Sequence, residues 1–296
     1  MSDTVYLHYD QAQLDAQINL RARWPEHEAY FAKWAAESAA FRAARAGRLD
    51  LRYGPTAGQT LDLFPAAGGP APLIAFIHGG YWQALDKSDF SYLGAAFLDR
   101  GIAYASLNYD LAPEARIGEM VAQVRRAFAW LQAEAPGLGV DPRRILALGH
   151  SAGGHLAAMA LATDWRAAFG LAAPALAAAG SISGIYDLEP MRLCYQQPVL
   201  QIDPDTVRDM SPLRTAPPPG ARLVCAVGGE ETDEFLRQQE AFAADWRRQG
   251  AALEAMVIEA QTHFSILDLL LLPEHPLTAR LIALAGGEPG AEGPAP

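Results

Sequence analysis

One pentapeptide constrains this chain more than any other feature. Gly149-His150-Ser151-Ala152-Gly153 fits the pattern G-x-S-x-G, between an apolar run at 145–148 and helical spacing over 152–163. A serine on so tight a strand-to-helix turn occupies strained backbone, and small neighbours relieve the clashes. The turn lifts the Ser151 hydroxyl above a sheet edge. It also aims the following helix N-terminus at negative charge developing on an attacked carbonyl.

The rest of the pattern agrees with that turn. Apolar strands are predicted at 73–77, 102–107, 145–148, 180–183, 223–227 and 253–258. Helical spacing is predicted at 87–100, 117–131, 152–163, 233–249 and 264–284. Continuous apolar strands alternating with helices mean a mostly parallel sheet covered on both faces. Before them, Leu49, Leu51 and Tyr53 alternate, as do Leu61 and Leu63, with Gly54, Pro55 and Gly58 between. That is an antiparallel hairpin at a sheet edge. An antiparallel start followed by βα alternation is the order of an α/β-hydrolase sheet.

The organisation follows. Residues 1–47 read as a helical segment packing on the core, in two pieces around Pro25, with Leu14, Ile18, Tyr30, Trp34 and Phe41 on its apolar faces. Residues 48–285 are the α/β domain. Within it, 184–220 carries seven prolines and little periodicity, and is expected to form a cap over the catalytic edge. The Gly/Pro/Glu-rich tail 286–296 is expected to be disordered.

Composition narrows function by exclusion. Among 296 residues, 23 Lys+Arg against 34 Asp+Glu give a net charge of −11. No basic stripe is available to replace phosphate counterions, so nucleic acid is not an expected partner, nor is an anionic membrane surface. Cys194 and Cys225 are too few for a disulfide scaffold or a thiolate zinc site; they read as buried free thiols, with a single bridge between them left open. Without a leader or an apolar run near the roughly 20 residues of a membrane span, a cytoplasmic location is expected. The expected partner is a small-molecule substrate, and a homodimer is left open.

A serine hydroxyl needs a base. His150 and His155 are too near Ser151 in sequence to serve. His78 precedes a turn and reads as structural. His263 lies between a strand and a helix, where an α/β-hydrolase carries its base. The acid should follow strand 223–227, where 230–234 read Glu-Glu-Thr-Asp-Glu. With Thr232 as helix N-cap, Asp233 and Glu234 fall in the first turn. Glu231 is left free to turn towards His263, and the other three carboxylates read as solvated. The order Ser151, Glu231, His263 is that of the α/β-hydrolases. His78-Gly79-Gly80-Tyr81-Trp82 follows strand 73–77, so the amides of Gly80 and Tyr81, with Ala152, are the expected oxyanion donors. Trp82, and Tyr186 and Tyr195 in the cap, are candidate contacts for an aryl substrate.

These motifs carry a resemblance. H-G-G-Y-W at 78–82, G-H-S-A-G-G-H at 149–155 and the segment Glu231-Thr232-Asp233-Glu234-Phe235-Leu236-Arg237-Gln238 resemble the kynurenine formamidase (arylformamidase) family of α/β-hydrolases. That family's acid is usually Asp at the position of Glu231, a departure that keeps the carboxylate. The resemblance implies hydrolysis of N-formyl-L-kynurenine to L-kynurenine and formate, a step of tryptophan catabolism, with no metal or organic cofactor. Residues 108–114, Asn-Tyr-Asp-Leu-Ala-Pro-Glu, also resemble the Y-R-L-A-P-E of hormone-sensitive-lipase-like esterases, with Asp110 in place of Arg. A carboxylesterase for small acyl or aryl esters is therefore the alternative. A binding protein on a hydrolase scaffold is a third reading, against which the complete set of Ser, His and hole residues argues.

Overall fold

A computed structural model describes residues 4–286. Eight strands form one sheet: β1 (Arg48–Arg52), β2 (Thr60–Phe64), β3 (Ala71–Ile77), β4 (Ala103–Leu107), β5 (Val140–His150), β6 (Ala178–Ile182), β7 (Arg222–Gly228) and β8 (Ala252–Ile258). Their spatial order is β1-β2-β4-β3-β5-β6-β7-β8. β2 runs antiparallel to β1 and β4, and β3 to β8 pair in parallel. This is the expected α/β-hydrolase sheet.

Position in the sheet explains each strand's composition. β3 (Ala-Pro-Leu-Ile-Ala-Phe-Ile) and β4 are buried along their whole length, because helices cover both faces and leave no solvated side to alternate with. The edge strand β1 differs: it is largely exposed, and Leu49 points to solvent.

Chain order around β3 fixes where a site can form. From β3 the chain steps to β4 on one side and then to β5 on the other. The loops leaving the carboxyl ends of β3 and β5 therefore diverge and open a crevice, the topological switch point of an open parallel sheet. Ile77 pairs with Gly149, so the two chemistry-bearing loops leave the sheet side by side.

Several helices are shorter than their periodicity suggests. Residues 87–100 form two 3₁₀ turns and the helix Gly94–Leu98. Residues 264–284 split into the 3₁₀ segment Ser265–Leu271 and the helix Pro276–Ala285, since Pro273 and Pro276 cannot continue the first. Leu272, inside the stretch of predicted helical spacing, is exposed. Residues 184–220 are not irregular: they hold helices Glu189–Leu193, Gln197–Leu200 and Pro204–Met210, each with proline in its first turn, where the missing N–H costs nothing.

The N-terminal segment forms helices Gln11–Ile18, Leu20–Arg23 and His27–Ala44, and buries Leu14, Ile18, Leu20 and Trp34. Both cysteines are buried and unbridged. Burial pushes the Cys194 thiol up to about 11 and the Cys225 thiol up to about 12. Among the described residues no helix is long and apolar enough to cross a membrane. Beyond Gly286 the C-terminal tail read as disordered lies outside the described residues.

Candidate active site

Ser151 sits at the apex between β5 and the helix Ala152–Leu161, with φ 59° and ψ −120°. Such a conformation in a non-glycine residue costs roughly 1–3 kcal/mol, and the surroundings must hold it. They do so by close approach. A Cβ on Gly153 would stand 1.9 Å from the carbonyl oxygen of Ile77, and one on Gly79 would stand 3.0 Å from Ser151 Cβ. Only hydrogen fits at either place, so these two glycines let the β3 loop lie directly against the turn. The Ser151 N–H donates to the Ile182 carbonyl at 2.8 Å, which ties the apex to β6.

His263 follows β8 and is buried. Its Nδ1–H donates to Glu231 Oε2 at 2.7 Å. Glu231 is buried in the loop after β7, and its other oxygen, Oε1, accepts from Ser183 Oγ at 2.5 Å and from the Gly228 N–H at 2.9 Å. The carboxylate is thus held by three donors, and its orientation is over-determined. Asp233 is exposed in the first turn of helix Asp233–Arg248, so the structure brings Glu231, not Asp233, to the histidine. Thr232 has N-cap backbone geometry, but its side chain does not cap. Its hydroxyl donates instead to the Gln17 carbonyl at 2.9 Å, while Gln17 Oε1 accepts from the Glu234 N–H at 3.1 Å. The N-terminal helix supplies the cap. Glu234, read as solvated, is fully buried, paired with Arg237 at 2.7 Å and accepting from Gln238 at 2.9 Å.

Two contributors left no local sequence signal. Ser183, just past β6 with φ 50°, is one. His150 is the other: its Nε2–H donates to the His263 carbonyl at 2.8 Å, and the two rings lie 4.6 Å apart. Burial, then the neighbouring His263, hold the His150 imidazole well below its usual range, so it stays neutral and fixes the backbone of His263.

The loop after β3 carries three consecutive positive φ values: Gly80 at 98°, Tyr81 at 51° and Trp82 at 58°. This winding leaves the amides of Gly80 and Tyr81 without an acceptor among the described residues. Ala152 begins the helix, where an N–H has no intrahelical partner. Residues 108–112 brace the loop from behind. Tyr109 Oη donates to the His78 carbonyl at 2.9 Å, the Ala112 N–H to the Trp82 carbonyl at 2.7 Å, and His78 Nε2 lies 3.0 Å from Asn108 Oδ1. His78 is structural, stacked on Tyr109.

Ser151, His150 and His263 line one small cleft of about 20 Å³ with Gly80, Tyr81, Leu85 and Phe264, closed on one side by Leu20, Arg21, Phe31 and Trp34. A larger groove of about 730 Å³, among Pro142, Trp165, Leu171 and Pro218, holds none of these residues. It lies at the amino ends of the parallel strands, away from the switch point.

The expected aryl contacts need correction. Trp82 is fully buried, edge-on to His155 at 5.1 Å. The turn at Trp82 sends its ring into the interior rather than the cleft. Tyr186 is fully buried, stacked on Phe242 at 4.1 Å and hydrogen-bonded to Ser181 Oγ at 2.8 Å. An aromatic just past a strand end packs under the neighbouring helix as readily as it faces a ligand. Tyr195 is half-exposed and outside the cleft lining, with its hydroxyl held by Gln196. The aromatic wall comes instead from Phe31, Trp34 and Phe264. Among the described residues no three His, Cys, Asp or Glu side chains are grouped to hold a metal ion.

The BD-FAE family model matches residues 61–183. Kynurenine formamidase of Danio rerio is 30% identical over 245 residues, which span 80% of this chain and 82% of that protein. The chain belongs to the kynurenine formamidase family of α/β-hydrolases. A crystal structure from Silicibacter sp. TM1040, titled provisionally as a thioesterase, superposes on this family member with a TM-score of 0.80 and 32% identity. The match covers 90% of this chain and 98% of that one. The carboxylesterase EstE1 from a metagenomic library shares the fold at a TM-score of 0.68 and 19% identity, over 88% and 97% of the two chains. Like its relatives, the chain is a hydrolase.

Proposed function

We propose that this enzyme hydrolyses an aryl formamide, N-formyl-L-kynurenine, to L-kynurenine and formate, with Ser151 as nucleophile, His263 as base and Glu231 as orienting acid. The observation that carries the mechanism is the carboxylate–imidazole pair at 2.7 Å, on a cleft that Ser151 also lines. With Nδ1–H given to Glu231, His263 presents Nε2 as the free base, the tautomer that accepts the serine proton. Ser151 attacks the formyl carbonyl, and the unpartnered amides of Gly80, Tyr81 and Ala152 receive the oxyanion. His263 then protonates the leaving arylamine. A water, deprotonated by the same imidazole, releases formate. The substrate assignment rests on the named activity of the 30% identical relative and on an aromatic wall matched to an aryl group. The cleft is small, so an aryl group enters by displacing the half-buried Phe31 and Leu85 side chains. The two unbridged thiols fit a reducing, cytoplasmic setting.

Ester hydrolysis is the second reading. It is favoured by the methylesterase name of a relative from Oryza sativa, 28% identical over 71% of this chain, and the same machinery serves it. Measured kcat/KM for N-formylkynurenine against short p-nitrophenyl esters tests the choice. A formamide value well below the ester values overturns the first reading.

A further inference from the structure

The cleft wall opposite Ser151 contains one formal charge, and it is positive. Apart from the histidines, the lining residues are uncharged except for Arg21. In a chain of net charge −11, where arginines such as Arg192 and Arg237 are held by carboxylates, this one is not. Arg21 makes no ion pair or hydrogen bond among the described residues, and its guanidinium rests over the Phe31 ring at 5.5 Å. The side chain is exposed, and the backbone that carries it is fixed by its neighbours in the chain. Gln17 is bonded to Thr232 and Glu234, Tyr81 Oη donates to the Ile18 carbonyl, and Asn19 caps the turn that carries Arg21, accepting from the Ala22 N–H at 3.2 Å. Beside it on the wall, Trp34 carries a second free donor, a buried indole N–H with no acceptor among the described residues. A buried donor left unpaired is costly, and a ligand oxygen would relieve that cost.

The geometry points to Arg21 as a specificity-determining residue that receives a carboxylate on the substrate. The wall Arg21–Phe31–Trp34 then selects carboxylate-bearing aryl formamides, or carboxylate-bearing aryl esters, over those without a carboxylate. A planar guanidinium already set over an aromatic ring suits a bidentate carboxylate contact, with the substrate's aryl group against Phe31 and Phe264. The inference rests on the reading that hydrolysis occurs at Ser151, and it adds the residue that reads a carboxylate on the substrate.

The test uses two matched pairs: 3-formamidobenzoate with formanilide, and 3-acetoxybenzoate with phenyl acetate. Within each pair the members differ by one carboxylate. For wild type and Arg21→Met, the kcat/KM ratio of anionic to neutral substrate is measured. Comparing the two ratios cancels the carboxylate's electronic effect on the leaving group. Arg21→Met should lower the ratio about tenfold to a hundredfold through KM, the range for a hydrogen bond to a charged group, and Arg21→Lys should lower it less. Added salt should depress the wild-type ratio and leave that of Arg21→Met flat. An unchanged ratio in Arg21→Met, with both members of a pair falling together or neither moving, overturns the assignment. If wild type cleaves the esters but neither formamide, the formamide reading fails, and the ester pair still decides the role of Arg21.

Discussion

Replacing Glu231 by Gln separates charge from shape at one atom. Glu231 Oε1 accepts from Ser183 and Gly228, and Oε2 accepts from His263 Nδ1. The glutamine amide has the same outline. Its carbonyl oxygen can keep the first two partners only if its NH₂ faces Nδ1. Two donors then meet at 2.7 Å unless the imidazole moves its proton to Nε2, the nitrogen that must accept from Ser151. The variant is caught between losing two hydrogen bonds and holding the wrong tautomer. The second cost amounts to about 10⁴ in kcat when the acid of a serine-protease triad is made an amide, which is about 5–6 kcal/mol of transition-state stabilisation. The expected result is a kcat lowered by about three to four decades with KM little changed. It is read from initial rates at pH 7.5 on protein whose thermal transition matches wild type. Asp233→Asn is the control, since an exposed first-turn carboxylate contributes only about 0.3–1 kcal/mol to its helix. A Glu231→Gln enzyme within tenfold of wild type, or an Asp233→Asn enzyme down by decades, refutes the reasoning.

Three further outcomes follow from the same geometry. Ser151→Gly should be inactive yet more stable, because glycine adopts φ 59° without strain; after its own entropy cost the gain is about 1 kcal/mol, read as a Tm rise of about 2 °C, and a lower Tm counts against strain at the apex. Ser183→Ala removes one of three donors from Glu231 and should lower kcat about tenfold in steady-state assays, with unchanged kcat reducing Ser183 to packing. His155 is held down to about 4 by burial, against 6.5 when free, so the unfolded chain binds more protons between those values. Its contribution to stability is therefore complete above about 6.5 and is lost as pH falls towards 4, at up to about 1.4 kcal/mol per pH unit. Urea midpoints should drop between pH 7 and pH 5, and a flat midpoint contradicts the burial of an uncharged His155.

Residues legible in the sequence were those whose chemistry requires a local pattern. The turn at Ser151 needs glycines at fixed offsets, the strands covered on both faces need unbroken apolar runs, and the order of Ser, acid and His follows chain order in the sheet. What escaped depended on partners far along the chain. Ser183 acquires its role from Glu231, 48 residues away, and His150 from the His263 carbonyl, 113 away. Nothing near Tyr186 signals that Phe242 will cover it. Glu234 was different, because Arg237 and Gln238 stand three and four residues on, a spacing that forecasts a paired carboxylate on one helix face.

The stitching of residues 17 and 18 to the loops of Thr232 and Tyr81 bears on when a newly made chain becomes an enzyme. Gln17 waits for a partner 215 residues downstream, and His263 comes later still. During synthesis at roughly 5–20 residues per second, the first helices therefore leave the ribosome many seconds before the surfaces they close over. No nascent fragment that stops before residue 263 holds Ser151, His263 and the cleft wall together. Until His263 emerges the chain is catalytically silent, and the helix that carries Gln17 and Ile18 is an apolar surface awaiting cover.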